Sequence, residues 1–321
     1  MGALKAVVIG VGYLGRFHLE KFTRCEGVEV IGIVDTDLRR AHEVSTQFRV
    51  PAYRDLDAVL TRADLASVVV PPDVHHEVAR RCLEHGVHVL VEKPMTQTLA
   101  EAQDLIDLAA RQGLVLQVGH LERFNPGLRR LGRELTDPMF IECHRLAPFQ
   151  PRGSEVDVIL DLMIHDIDLV LSCVPSEIRE VRAVGVPVLT TDIDIVNARL
   201  EFANGCVANL TASRVTPKAM RKLRIFQADA YFSLDTLGHK LTIARKGSAG
   251  APTPIAIQEL SFDKTDALML EIQAFVDAVR GNGSVLVTGE EGKKALAIAL
   301  DIRCGTDGTL THKSPLQVPR E

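Results

Sequence analysis

A glycine-rich segment near the start of the chain constrains the fold more than any other part of the sequence. The apolar run 6–9 leads into Gly10, Gly12 and Gly15, which are spaced G-x-G-x-x-G, and a helical pattern follows at once. Gly10 permits a tight strand-to-helix turn, Gly12 leaves room for a pyrophosphate, and Gly15 lets the helix pack closely on the strand. The segment predicts a dinucleotide-binding βαβ unit, although an ordinary βαβ unit with a glycine turn would share the pattern.

A carboxylate at the end of the second predicted strand distinguishes the two possibilities. The apolar run 28–34 ends in Asp35, which lies 20 residues past Gly15. A carboxylate there can accept hydrogen bonds from the ribose hydroxyls of NAD and would repel the 2′-phosphate of NADP. Arg39 and Arg40 are the nearby cations that could oppose this repulsion. We therefore predict dinucleotide binding, with NAD preferred.

The size and composition of the chain limit the classes of protein that it can form. Its 321 residues suggest about two domains, and 46% hydrophobic residues allow a substantial core. A net charge of −5 argues against a nucleic-acid-binding protein. We expect no membrane-spanning segment, no secretion signal and a cytoplasmic location. The six cysteines form no Cys-x-x-Cys pair and indicate reduced thiols rather than a disulfide framework or a metal site.

The rhythm of predicted elements changes after about residue 122. Before it, strands alternate with helices, which predicts an N-terminal Rossmann domain with a doubly wound parallel sheet over residues 1–122. Residues 123–321 predict a second α/β domain with an open, mostly antiparallel sheet. Its predicted strands are 140–147, 178–184, 196–202, 207–213, 222–227 and 240–244, and its late helices lie near 266–280 and 290–302.

Several side chains fall at the carboxyl ends of the predicted parallel strands, where an open α/β sheet binds its ligand. Lys93, in the segment Glu92-Lys93-Pro94, could donate to a substrate hydroxyl beside the nicotinamide, although for an isolated lysine a surface position at a strand end is the simpler interpretation. The residues predicted to bind the cofactor are Gly10, Gly12, Tyr13, Leu14, Gly15, Asp35, Pro71, His75, Glu92, Lys93 and His120.

A later predicted helix carries a carboxylate beside an imidazole. Asp161 and His165 are four residues apart, so they face the same way on a helix. The imidazole can take a hydroxyl proton near neutral pH, while the carboxylate orients the substrate or raises the imidazole pKa. An ordinary exposed Asp–His pair would show the same pattern. A metal site is disfavoured because no third ligand clusters nearby.

The glycine motif, Glu92-Lys93-Pro94 and Asp161-x-x-x-His165 together resemble the Gfo/Idh/MocA family of NAD(P)-dependent sugar dehydrogenases over almost the whole chain. The resemblance implies a Rossmann domain followed by an α/β domain that binds substrate and forms the oligomer, a homodimer or homotetramer. It also implies that Lys93, Asp161 and His165 are the catalytic residues. Which of Lys93 and His165 takes the hydroxyl proton stays open.

Three further segments, 119–126, 160–168 and 213–227, resemble the members of this family that oxidise C3 of UDP-N-acetylglucosamine, an activity used in making the 3-amino sugar of some lipid A molecules. The resemblance implies a UDP-sugar substrate. The chain has no acidic residue between Glu201 and Asp229, and the cations there suit a diphosphate, although they could equally form solvated strand faces or a subunit contact. The predicted substrate-binding residues are Arg123, Asn125, Arg214, Lys218 and Arg221.

Two other functions remain open at this point. One is a dehydrogenase of a free sugar or of inositol, and the other is a non-catalytic NAD-binding regulator. The presence of Lys93, Asp161 and His165 together argues against the regulator. A comparison of a UDP-sugar with its free sugar separates the two enzyme hypotheses.

Overall fold

The computed structural model describes residues 2–150, 156–247 and 254–307. The chain divides into two compact units, the first made of residues 1–133 and 262–297 and the second of residues 134–261 and 298–321. This division differs from the predicted one, which placed a single boundary after residue 122. In the part that the structure describes, none of the helices is both long and apolar enough to cross a bilayer.

The first unit is built on a parallel sheet flanked by helices. Its strands are β1 (Leu4–Ile9), β2 (Val28–Val34), β3 (Ala52–Tyr53), β4 (Leu65–Val68), β5 (His88–Glu92) and β6 (Leu116–Gly119). Its first helices are α1 (Tyr13–Arg24), α2 (Leu38–Phe48), α3 (Asp57–Leu60), α4 (His75–Glu84), α5 (Leu99–Gln112) and α6 (Pro126–Gly132). The strand order is β3-β2-β1-β4-β5-β6 and every pairing is parallel, which confirms the predicted Rossmann sheet.

The second unit is built on an eight-stranded sheet. Its strands are β7 (Phe140–Leu146), β8 (Ile178–Val186), β9 (Ile195–Phe202), β10 (Val207–Ser213), β11 (Met220–Phe226), β12 (Ala230–Asp235), β13 (Lys240–Lys246) and β14 (Ile255–Ser261). Only β7 and β10 pair in parallel, so the predicted mostly antiparallel sheet is confirmed. The helix α7 (Ile164–Cys173) packs against β7 and β10. β12 and β14 were not predicted.

The remaining helices are α8 (Ala267–Val279) and α9 (Gly289–Asp307). α8 belongs to the first unit, because it buries Ile272 and Phe275 in the apolar cluster that contains Phe22 of α1. The helical period of the sequence reveals such an apolar face but not the sheet that it covers. The sequence therefore placed residues 262–297 in the wrong unit, although it located the helix itself within one residue at each end.

Candidate active site

The glycine turn between β1 and α1 has the geometry that a bound pyrophosphate requires. Gly10 has a φ of +85°, and a Cβ there would overlap the carbonyl oxygen of Val69. A Cβ on Gly15 would overlap the Gly10 carbonyl oxygen, so only glycine allows so close an approach of helix and strand. A Cβ on Gly12 would meet no atom of the described residues within 4 Å. The turn is therefore open beside Gly12, directly before the N-terminus of α1, where unpaired N–H groups favour an anion.

Asp35 lies directly after β2, and its carboxylate is held in place from several sides. Oδ2 accepts from the N–H of Val11 at 2.9 Å, and Oδ1 accepts from the N–H of Asp37 at 2.8 Å. Arg40 donates through Nε to Oδ2 at 2.9 Å and through Nη2 to Oδ1 at 2.7 Å. Burial would raise the pKa of Asp35, but these hydrogen bonds outweigh burial and lower it. Asp35 is therefore ionised, and Arg40 shares the oxygens that a ribose would need.

Lys93 follows the last residue of β5, and contacts on both sides fix its backbone. Its N–H donates to Glu92 Oε2 at 3.2 Å. The His75 ring bridges two carbonyl oxygens, with Nδ1 2.7 Å from Pro94 and Nε2 2.9 Å from Val70. Burial lowers the pKa of His75, although both carbonyl oxygens favour its protonation. Because the ring is buried against backbone, His75 supports the turn that carries Lys93, and its contact with the cofactor stays a prediction.

The other predicted cofactor-binding residues also surround this edge of the sheet. Tyr13 and Leu14, in the first turn of α1, are exposed. Pro71 is exposed and precedes the short turn Pro72–Val74 after β4. His120 follows β6 and is buried. The carboxyl ends of β1, β2, β4, β5 and β6 thus bring most of the predicted set to one edge, as the parallel topology requires.

Sequence reasoning missed His18, which lies behind this edge on α1. Its Nε2 is 3.2 Å from Glu92 Oε1, and its Nδ1 is 2.8 Å from Ser67 Oγ. His18 is buried between Gly15 and Phe22, on the face that α1 turns toward the sheet. A polar residue on an otherwise small or apolar helix face is a signal that could have identified it.

In the second unit, the segment that carries Asp161 and His165 begins with a π-turn. Asp157 caps it, since its Oδ1 accepts from the N–H groups of Ile159 and Leu160 at 2.9 and 3.0 Å. The π-turn occupies residues 159–163 and runs into α7. Asp161 and His165 are both half-buried. The sequence predicted one continuous α-helix, because a π-turn has no signature in the 3.6-residue period, and π-turns are frequent at functional sites.

A buried ion pair anchors the start of α7 beside His165. Arg145 on β7 donates through Nε and Nη2 to the two carboxylate oxygens of Asp166, at 3.0 and 2.9 Å. Such a bidentate pair is directional, so it fixes the helix on the strand. Arg221 on β11 is the direct cross-strand partner of Arg145, and therefore lies on the same face of the sheet as α7.

Arg214, predicted to bind the substrate, is instead buried within the second unit. Its Nη2 donates to the carbonyl oxygens of Val156 and Ile193 at 2.6 and 3.2 Å, and its Nε lies 3.4 Å from Asp194 Oδ1. These contacts give Arg214 a structural role, and its contact with a phosphate stays a prediction. The sequence showed a cluster of cations but could not show which of them is buried against a carboxylate.

Two more predicted substrate-binding residues have structural contacts in the first unit. Arg123 Nη2 donates to Glu291 Oε1 at 2.6 Å. Asn125 caps α6, where its Oδ1 accepts from the N–H of Gly127 at 2.9 Å. Lys218 and Arg221 are exposed in the second unit.

Asp194, the partner of Arg214, should make the second unit sensitive to acid. Its Oδ2 accepts from the N–H groups of Val188, Leu189 and Thr190 at 2.8, 2.6 and 2.8 Å. Burial would raise the pKa of Asp194, but these hydrogen bonds lower it to about 2. A carboxyl group whose pKa is lowered by folding stabilises the folded state at pH values above the ordinary pKa of aspartate. This stabilisation is lost as the pH falls from about 4 to about 2.

We expect Asp194→Asn to lower the free energy of unfolding by about 2 kcal/mol at neutral pH, and the difference from the wild type to shrink as the pH falls toward about 2. Urea denaturation at a series of pH values measures this difference. Asp192→Asn, at an exposed neighbouring position, is the control and should change little. Equal stability of Asp194→Asn and the wild type at neutral pH would contradict the claim that ionised Asp194 stabilises the fold.

Comparison with known proteins agrees with this architecture. Residues 4–120 match the model of an oxidoreductase family with an NAD-binding Rossmann fold, and residues 134–232 match the GFO/IDH/MocA C-terminal domain. The chain is 39% identical over 310 residues to UDP-N-acetylglucosamine 3-dehydrogenase of Acidithiobacillus ferrooxidans, covering 96% of this chain and 98% of that protein. A solved structure of that protein has a TM-score of 0.91 at 38% identity, covering 97% of this chain and 100% of that one.

A more distant structure shares the fold. It is scyllo-inositol dehydrogenase from Lactobacillus casei with bound NAD(H) and scyllo-inositol, with a TM-score of 0.81 at 19% identity, covering 96% of this chain and 98% of that one. The Rossmann sheet, the glycine turn and the ionised Asp35 define an NAD-dependent oxidoreductase. The chain belongs to the Gfo/Idh/MocA family of these enzymes.

Proposed function

We propose that this protein oxidises C3 of UDP-N-acetylglucosamine to the 3-keto sugar, with NAD as the hydride acceptor. The observation that carries the proposal is the 39% identity to a dehydrogenase named for this reaction, over nearly the full length of both chains. The product suits a later transamination, and we propose that it supplies the 3-amino sugar of lipid A.

Each proposed catalytic residue has a distinct role. Lys93 extends from a backbone held by Glu92 and His75 at the ligand-binding edge of the Rossmann sheet, and donates a hydrogen bond to the substrate. His165 takes the hydroxyl proton, for which an imidazole is suited near neutral pH. Asp161 orients the substrate or the imidazole. NAD, when bound, supplies the hydride-accepting ring.

We propose that Lys218 and Arg221 bind the diphosphate of the substrate. Both are exposed near the start of β11, and Arg221 shares a sheet face with α7. Arg145, which stands opposite Arg221, has its charge balanced by Asp166. Arg221 therefore lies on the face of the sheet that α7 covers.

This proposal makes an expectation for substrate choice. UDP-N-acetylglucosamine and NAD should give NADH, followed by absorbance, with a much larger kcat/KM than free N-acetylglucosamine or scyllo-inositol. Lys218→Gln and Arg221→Gln should each raise KM for the UDP-sugar about tenfold while KM for NAD stays constant, because a charge-assisted phosphate contact is lost. Added salt should have a similar effect.

Lys222→Gln is the matched control, because Lys222 lies on β11 but on the opposite face, and should leave both KM values unchanged. If free N-acetylglucosamine reacts as well as its UDP form, the diphosphate contact is excluded and a free-sugar or inositol dehydrogenase is favoured. If the protein binds NADH but oxidises none of these compounds, a non-catalytic NAD-binding regulator is favoured.

We further propose a homodimer or homotetramer formed through the sheet face opposite α7. Phe226 lies on that face with its ring centroid 5.7 Å from that of Phe140 and 4.9 Å from that of Tyr231. This aromatic group spans three strands and suits a protein contact. Light scattering should give a multiple of the 35.1 kDa chain mass, and a monomer mass would exclude the proposal.

A further inference from the structure

The first unit contains a buried polar cluster behind the backbone that carries Lys93. Its members come from α1, β4, β5, β6 and α8, and all but Glu92 are fully buried. We define the cluster as His18, Ser67, Glu92, Gln117 and Glu271. Among them, Glu92 accepts a hydrogen bond from the backbone N–H of the proposed catalytic lysine.

Glu92 is the link between this cluster and Lys93. One of its carboxylate oxygens accepts from the Lys93 N–H at 3.2 Å, and the other lies 3.2 Å from His18 Nε2. The carboxylate also lies against Gly119, where a Cβ would come within 3.0 Å of it. Burial would raise the pKa of Glu92, but the hydrogen bond and charge of His18, together with Lys93, lower it. Glu92 is therefore the ionised carboxylate of the cluster.

Glu271 is the second carboxyl group of the cluster and has a different environment. It is fully buried in α8, and within the described ranges neither of its carboxyl oxygens has a hydrogen-bond partner. Gln117 Nε2 donates to its backbone carbonyl oxygen at 3.2 Å, which fixes this turn of α8 against β6. A buried carboxylate without partners is unfavourable, so such a group takes up a proton. Burial and the charge of Glu92 both raise the pKa of Glu271 well above its usual value.

Two of the charged groups near α8 have partners other than Glu271. Besides β6, α8 packs against α1 and the turn 121–124, whose acidic, basic and histidine residues are Arg16, His18, Glu20, Lys21, Arg24, Glu122 and Arg123. Lys21 Nζ lies 2.8 Å from Asp266, the residue that caps α8, and Arg123 bonds Glu291. Glu92 is therefore the charge that acts on Glu271.

We propose that Glu271 is a positioning residue that stays protonated. Glu92 is then the one negatively charged carboxylate of the cluster, and it holds the backbone of Lys93 in place. The proposal rests on the function proposed above for Lys93. Two carboxylates in one buried site cannot both ionise at low cost. If Glu271 lost its proton, its negative charge would favour protonation of Glu92. A protonated Glu92 would then accept hydrogen bonds from His18 and the Lys93 N–H less well.

The pH dependence of stability tests the proton on Glu271 without reference to any reaction. A carboxyl group whose pKa is raised by folding costs stability progressively as the pH rises above its ordinary value of 4.5. Glu271→Gln, which has no proton to lose, should melt near the wild-type Tm at about pH 4 and a few degrees above it at about pH 8. Glu290→Gln, at an exposed position on α9, is the matched control and should show no such trend.

A Tm of Glu271→Gln that falls further below the wild type as the pH rises would show an ionised, stabilising Glu271 and would overturn the proposal. Glu271→Met, also uncharged, repeats the test if the amide packs poorly. It should show the same upward trend in its Tm difference from the wild type, even if its Tm is lower throughout.

Kinetics test the positioning role. Glu92→Gln should lower kcat by roughly 10²-fold, because the support of Lys93 is displaced. The conservative variant Glu271→Gln should instead keep kcat within about threefold of the wild type and abolish any loss of activity that ionisation of Glu271 causes at high pH. A fall in kcat for Glu271→Gln as large as that for Glu92→Gln would overturn the proposal. Failure of the proposed function would appear differently, as no oxidation by the wild type either, while the Tm series still decides the state of Glu271.

Discussion

Lys93→Met and His165→Ala should each lower kcat by roughly 10²–10⁴-fold while Kd for NAD changes little, because each variant removes a group proposed to act on the substrate hydroxyl. The backbone of Lys93 is already held by Glu92 Oε2 and, through Pro94, by His75, so the methionine variant should keep the turn intact. His165 is half-buried in α7, whose start Asp166 anchors independently. Stopped-flow NADH formation and fluorescence titration of NAD measure the two quantities.

Lys264→Met and His42→Ala are the matched controls, since both residues are exposed and lie outside the proposed site. Their kcat should equal that of the wild type. Asp161→Asn should have a smaller effect than His165→Ala, because it alters the orientation of the substrate or the imidazole rather than removing the base. If His165 is the base, the acidic limb of the wild-type pH profile should be absent in His165→Ala. Wild-type kcat in both Lys93→Met and His165→Ala would place the reaction elsewhere in the molecule.

Arg40→Ala should increase the preference for NAD over NADP about tenfold or more, measured as the ratio of the two kcat/KM values. In the wild type, NAD should be preferred because Asp35 is ionised and buried at the end of β2. Arg40 forms a bidentate bond to that carboxylate and offsets its charge. It is also a cation that could meet a 2′-phosphate. Its removal exposes the ribose-binding oxygens and leaves the repulsion of NADP unopposed.

Arg39→Ala provides the control for this effect. The Arg39 side chain is 90% exposed and pairs with Glu43 at 3.2 Å, so its loss should leave the cofactor ratio unchanged. Asp35→Ala should lower kcat/KM for NAD and reduce the ratio of kcat/KM for NAD to kcat/KM for NADP. A wild-type preference for NADP, or a ratio that Arg40→Ala does not change, would contradict the role assigned to the Asp35–Arg40 pair.

Local sequence signals account for the elements that were predicted most closely. Both ends of α5 carry strong signals in the sequence. Thr98 and Glu101 form a reciprocal capping box, with bonds of 3.2 and 3.0 Å, and Gly113 closes the helix at a φ of +67°. The glycine turn could also be predicted from the sequence, because the close contacts that require Gly10 and Gly15 involve neighbouring elements.

Contacts between distant parts of the chain account for what the sequence did not reveal. Arg214 belongs to a cationic segment in the sequence, yet its burial depends on Asp194 and on two carbonyl groups of other loops. The bidentate contact of Arg40 with Asp35 could have been considered from the sequence, because the two residues lie on either side of the start of α2. Only the structure shows that the contact forms. Glu271 has no local signal at all, because its partner charge, Glu92, lies on a strand far away in the sequence.

Transfer of a deuterium label from substrate to cofactor tests most directly the proposal that hydride leaves C3 of UDP-N-acetylglucosamine and reaches NAD. UDP-N-acetylglucosamine carrying deuterium at C3 is incubated with the protein and NAD, and both products are analysed by mass spectrometry. We predict reduced cofactor that carries the deuterium and a keto sugar that has lost it. Reduced cofactor without deuterium, or reduction of NAD by free sugars but not by the UDP-sugar, would contradict the proposed reaction.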